Sequence, residues 1–192
     1  TPTDASLSGT WNWDTAQKAS GTSSHHEPRY NGSHQHFFTT TTPLGTPAAN
    51  DKLVTYVLLD PCDPPNEIVL QFNDGSGWEH RAYWGPDLIA GGTNGTASKF
   101  RIGDLPATGQ WVRLEVPASS VGLSNTAVFG MAFELYGVHA WFDRTALAPA
   151  SGDARIPKAP ATPVSELQAA APRRPRIFAW RPPVAARSPV QP

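Results

Sequence analysis

The stretch Val128–Tyr136, VFGMAFELY, places Phe129, Met131, Phe133 and Leu135 on one side of an extended chain. A period of two commits such a segment to a half-buried strand. The same signature recurs through the first 145 residues. Gln35–Thr42 is aromatic and β-branched, and Pro43 and Gly45 break it. Lys52–Asp60 is apolar on both alternating faces, which predicts a strand covered on both sides and lying inside a sheet. Glu67–Phe72 sets Ile68, Leu70 and Phe72 on one face, and Asn73–Gly77 (NDGSG) predicts a turn into a strand over Trp78–Trp84. On that strand Trp78, His80, Ala82 and Trp84 share one face, and Glu79, Arg81 and Tyr83 the other. Strands are also expected at Ser8–Trp13, Lys99–Ile102, Trp111–Val116 and Val138–Asp143. About eight strands in this pattern predict an all-β chain, an antiparallel β-sandwich of jelly-roll type.

Composition agrees: 20 Pro and 16 Gly in 192 residues, with one Met, leave little room for helices. The one helical candidate is Thr162–Ala171. A single Cys excludes an internal disulfide framework and a Cys-based zinc cage. Cys62, in the loop PCDPPN, reads as a free thiol or a small buried hydrophobe. No segment approaches the roughly 18 apolar residues of a membrane span. The chain starts at Thr1 without Met, as expected of a processed form or an expressed fragment.

The net charge of -1 conceals an asymmetry. Residues 1–144 hold 8 Lys/Arg and 14 Asp/Glu, whereas residues 145–192 hold 7 and 2. Half of the Pro residues also lie in that last segment. The expected organisation is a β-sandwich domain over 1–145 and an extended, Pro-rich and basic C-terminal arm over 146–192. In the arm Arg173, Arg174, Arg176, Ile177, Phe178, Trp180 and Arg181 form the candidate docking set. The aromatic residues would bury, the Arg would pair bidentately, and Pro would lower the ordering cost. An acidic body argues against nucleic acid as partner. Peripheral contact with an anionic membrane through Phe178 and Trp180 is a further expectation.

Several strings resemble an uncharacterised accessory β-domain of large secreted bacterial proteins, including some with RHS/YD-type repeats. They are WNW at 11–13, HQHFF at 34–38, the stretch 51–85 with its WEHRAYWG, PATGQWVRLEVPAS at 106–119 and GMAFELY at 130–136. Cys62 and Gly137–Trp141 depart from the pattern, and the tail after Thr145 lies outside it. The resemblance implies a sandwich similar to lectin-like and carbohydrate-binding domains. It also implies export to the periplasm, cell surface or medium. It brings no activity with it.

Three sets of residues carry candidate chemistry. His25, His26, His34 and His36 crowd together with Glu27, and on a strand His34 and His36 point to one side, a spacing that can hold a metal between imidazoles. Thr39–Thr42 stand where a cupin-like site would place its Glu, so His25, His34 and His36 are weak metal candidates, and no metal or cofactor is expected. For hydrolysis Glu79 would need a second acid from Asp74, Asp87 or Glu115, and no G-x-S-x-G elbow or phosphate-binding loop is present. No enzymatic role is expected. Sugars stack on aromatic rings beside polar side chains, and Trp11, Trp78, Tyr83 and Trp84 with Glu79 and Arg81 form the candidate glycan platform. The leading expectation is a non-catalytic exported subunit of a larger protein assembly docked to other proteins through its arm; the alternative is a carbohydrate-binding, lectin-like module recognising surface or extracellular polysaccharide.

Overall fold

The computed structural model describes residues 2–150. The helical candidate Thr162–Ala171 and the arm residues Arg173, Arg174, Arg176, Ile177, Phe178, Trp180 and Arg181 lie outside the described residues. Within them are β1 (Ser6–Ser8), β2 (Asn12–Asp14), β3 (Ser24–His26), β4 (Gly32–Thr39), β5 (Lys52–Leu59), β6 (Pro65–Asn73), β7 (His80–Trp84), β8 (Phe100–Gly103), β9 (Trp111–Pro117), β10 (Gly130–Gly137) and β11 (Ala140–Ala148). A short 3-10 turn, Ala118–Val121, is the one helical element among the described residues.

The strands form two sheets, a six-stranded one ordered β1-β4-β10-β6-β7-β8 and a five-stranded one ordered β2-β3-β11-β5-β9. Consecutive strands repeatedly switch sheets, which is the jelly-roll habit. All pairs are antiparallel except β7–β8, which is parallel. The stripes read from the sequence meet in the middle. Ile68, Leu70, Phe72, Met131, Phe133 and Leu135 of one sheet join Val57, Leu59, Leu114, Val116 and Phe142 of the other in a single core. Each alternation supplies half of the interface, as expected for two sheets packed face to face.

Several expectations change in detail. The first strand is split: β1 sits in one sheet and β2 in the other, and the chain crosses between them at Gly9. There φ is +78°, and a Cβ would stand 2.6 Å from the Gln35 carbonyl oxygen. The three-residue β3 carries no alternation long enough to signal itself. Phe129 falls outside the core stripe, because β10 begins at Gly130, where a Cβ would meet the Phe38 carbonyl oxygen at 2.4 Å. The last strand continues past residue 145, with Ala148 paired to Lys52. Its register shifts between Asp143 and Ala146, where Arg144 takes φ 53°. Cys62 is a free thiol and exposed, not a buried hydrophobe.

The outer face of the six-stranded sheet is partly roofed by residues 86–99. Glu67 is fully buried there, and its Oε2 accepts the backbone N–H groups of Leu88 and Ile89 at 2.7 and 2.6 Å. Lys99, also buried, donates to Asp87 and to the Ile89 carbonyl, with Glu67 Oε1 3.8 Å away. Beneath this roof Val69, Tyr83 and Ile89 make a second, small apolar cluster.

Candidate functional site

Beside the roof, the same outer face reaches solvent at Ser33, Gln35, Glu79 and Tyr136, while Gln71, Ala132 and Glu134 lie buried between them. Register aligns Phe37 of β4, Ala132 of β10, Gln71 of β6 and Arg81 of β7 in one row. The next row along the strands places Gln35 beside Glu134, and the one after it Ser33 beside Tyr136. These are the off-phase positions of strands whose other faces fill the core.

The polar side chains of these rows are joined. Gln71 Nε2 donates to Glu134 Oε2 at 2.5 Å and to Gln35 Oε1 at 3.4 Å, and Ser33 Oγ donates to Glu134 Oε1 at 3.1 Å. Arg81 Nε donates to Gln71 Oε1 at 3.0 Å. Its guanidinium also grips both oxygens of Glu79, at 3.0 and 3.1 Å, and the Ser98 carbonyl. Burial pushes the Glu134 carboxyl above its ordinary pKa, against the pull of Ser33 and Gln71. Hydrogen bonds from Arg81 hold Glu79 below its own. Network members therefore sit in fixed rotamers, while the amide N–H groups of exposed Gln35 have no protein acceptor among the described residues.

Aromatic rings bound the network on two sides. Trp78 packs edge-on against Phe37, ring centroids 5.3 Å apart, across the two strands that separate β7 from β4. Tyr136 lies four residues along β10 from Ala132, ~13 Å at strand rise, and is 36% exposed.

Of the six residues expected to form a glycan platform, Trp78, Glu79 and Arg81 are on this face. Tyr83 is buried under the 86–99 roof, its hydroxyl donating to Asn94 at 2.8 Å, and Trp84 is in the core. Trp11 lies elsewhere, against Trp13, His25 and His36. Trp78 does not share a face with Trp84, because the strand begins only at His80 and the preceding turn re-aims the indole. Gln35, Phe37, Gln71, Glu134 and Tyr136 were not singled out from the sequence. Their signal was the polar or aromatic residue at every second position of β4, β6 and β10, which any solvent-facing strand shares.

Five of the six histidines form two chains, and His80 instead meets the Val121 carbonyl. His25 Nδ1 and His36 Nε2 are 2.7 Å apart. His36 Nδ1 and His34 Nε2 stand 3.7 and 3.9 Å from Glu27 Oε2, without a hydrogen bond to it. His26 Nδ1 meets His139 Nε2 at 2.9 Å, and His139 in turn faces Asp60, which Arg29 pairs at 2.6 Å. Burial holds His25 well below its ordinary pKa, and lowers His34 and His139 as well. His34 and His36 do share a side. Among the described residues, however, no three His, Cys, Asp or Glu side chains converge to hold a metal ion. The acids considered for hydrolysis are each tied to a separate partner. Asp74 caps its own turn at Ser76 and Gly77, Asp87 holds Lys99, and Glu115 pairs with Lys52.

No protein-family model matches the chain, and no curated protein matches it. Solved structures similar to it include carbohydrate-binding β-sandwich modules and the glycoside hydrolase domain of Endo-D from Streptococcus pneumoniae, the latter over 21% of its own length. The module TmCBM61, solved with β-1,4-galactotriose, is 11% identical over 77% of this chain and 89% of its own, with a TM-score of 0.45. A family 11 carbohydrate-binding module from Clostridium thermocellum, in complex with a β-1,3-1,4-mixed-linked tetrasaccharide, is 12% identical over 76% and 84%, with a TM-score of 0.45. The CBM22-1 xylan-binding domain of Paenibacillus barcinonensis Xyn10C is 13% identical over 75% and 84%, with a TM-score of 0.41. No helix of the described residues is long and apolar enough to cross a membrane.

Proposed function

We propose that the protein is a non-catalytic carbohydrate-binding module that holds a polysaccharide across the outer face of its six-stranded sheet. The observation that carries this reading is the network Gln35–Gln71–Glu134–Arg81–Glu79, bounded by Phe37 and Trp78 at one end and Tyr136 at the other. Sugar hydroxyls need donors and acceptors already fixed in place, and sugar C–H faces need flat apolar rings. The network supplies amide, carboxylate and guanidinium groups whose ordering cost is met on folding, which favours binding of a polar ligand. The spacing from Ala132 to Tyr136 suits a chain of sugars better than a single ring. The reading of the protein as an assembly subunit docked through its arm rests on residues beyond 150, outside the described residues.

The test is affinity electrophoresis through gels containing plant β-glucan, galactan, xylan or bacterial surface polysaccharides. At least one should retard the wild type, with Trp78→Ala and Gln71→Ala losing most of the retardation while circular dichroism stays native. Retardation by none, or by one that both variants leave unchanged, contradicts the proposal.

A further inference from the structure

A cavity of about 520 Å³ opens between the two sheets, away from the face described above. Phe38, Phe72, Met131 and Phe133 line it from the six-stranded sheet, His25 and Leu147 from the five-stranded one. Its mouth carries Leu44 and Trp13, which is 51% exposed and stacks on Trp11 at 5.7 Å, with Thr22 and Ser23 on the rim. The volume lies in the range of small-molecule sites and is about three and a half times that of an engineered cavity that takes up benzene. The strand irregularity at Arg144, with its positive φ, forms part of the wall. Such bulges and strained residues gather at binding sites.

No charge is offered to an occupant. Asp143 borders the cavity, but its Oδ2 accepts the N–H groups of Ala19 and Ser20 and its Oδ1 that of Arg144. The Arg144 guanidinium is turned onto the Tyr56 ring, 5.7 Å away. An ion entering here would lose its hydration without gaining a partner, so a charged ligand is disfavoured. His25 supplies the directional polar group set among the aromatic rings of the wall. The Glu27 carboxylate beside His36 Nδ1 favours a proton on that nitrogen, which makes His36 Nε2 an acceptor. His25 then donates from Nδ1 across the 2.7 Å contact and keeps a lone pair at Nε2. The cavity therefore presents aromatic walls, the hydroxyls of Thr22, Ser23 and Thr145, and an acceptor at His25 Nε2 among the rings.

We propose that this cavity binds a neutral two-ring aromatic alcohol, its rings packed among Trp11, Trp13, Phe38 and Phe133 and its hydroxyl donating to His25 Nε2. The probe is 1-naphthol, titrated calorimetrically at pH 7.5 into the full chain. Saturable one-to-one binding is expected. 1-Methoxynaphthalene, which lacks the O–H, should bind about fivefold more weakly, and 1-naphthalenesulfonate and decanol at least tenfold more weakly. Ala146→Trp, at an exposed wall position, should reduce naphthol binding at least tenfold without altering thermal unfolding, and Thr22→Trp provides a second block from the opposite rim. Absence of saturable binding overturns the proposal. So does a sulfonate, methyl ether or decanol that binds as tightly as the naphthol, or wild-type affinity in both blocked variants.

Discussion

Replacing Lys99 by Met removes the one cation that faces the buried Glu67 carboxylate, with little change in volume. Lys99 and Glu67 have side chains 3% and 0% exposed, so neither can recover water while the 86–99 roof remains in place. Breaking a buried pair by deleting one member costs about 3–5 kcal/mol, because the other charge is left unpaired. For a domain of this size that lowers the melting temperature by roughly 6–20 °C. The pH dependence gives a second signature. Burial already raises the Glu67 pKa, with the amides of Leu88 and Ile89 and the charge of Lys99 acting against it. A carboxyl whose folded pKa exceeds its unfolded one penalises the folded state at high pH and ceases to do so once protonated. Removal of Lys99 enlarges that penalty, so the deficit relative to wild type should shrink between pH 8 and pH 5. Thermal unfolding of both proteins across this range is the assay. A melting temperature within about 2 °C of wild type, or a large loss that is the same at every pH, refutes the reasoning.

Three further outcomes follow from the same physics. His25, His34 and His139 have folded pKa values below their ordinary 6.5, so the unfolded chain binds more protons, and stability should fall as pH drops from 7.5 to 5.5. A urea midpoint that does not move over that interval contradicts this. Gly92→Ala places a Cβ 2.4 Å from the Ser98 carbonyl oxygen at φ +70° and should cost about 1–3 kcal/mol by urea denaturation, loosening the roof. A neutral effect would mean that the roof is not held at Gly92. Cys62 is free and exposed, so one equivalent of thiol should react with a disulfide reagent without denaturant.

Alternation of period two carried the fold because each inward stripe is local: Ile68, Leu70 and Phe72, or Met131, Phe133 and Leu135, can be paired with a core before any partner is known. What it could not carry is whatever depends on a distant segment. Tyr83 reads as an outward ring, yet a roof anchored by Lys99 and Glu67 covers it, two residues 32 positions apart in the chain. Trp78 reads as sharing a face with Trp84 because the expected strand runs through both, whereas the Asp74 turn releases the indole toward Phe37. Crowding of His25, His34 and His36 with Glu27 was visible, but their neighbour Phe133, and the second chain through His139 and Asp60, come together only by sheet pairing. The candidate face was least legible of all. Gln35, Gln71 and Glu134 occupy ordinary polar positions on three separate strands, and only the register of β4, β10 and β6 makes them a network.

Nuclear magnetic resonance of the labelled protein, titrated with oligosaccharides cut from whichever polysaccharide retards it, is the most direct test of the outer face as the binding surface. Shifts confined to Gln35, Phe37, Gln71, Trp78, Arg81, Glu134 and Tyr136 are the expected result. Shifts centred instead on Trp13, Leu44 and Ala146, or an unchanged spectrum with every glycan, would contradict it.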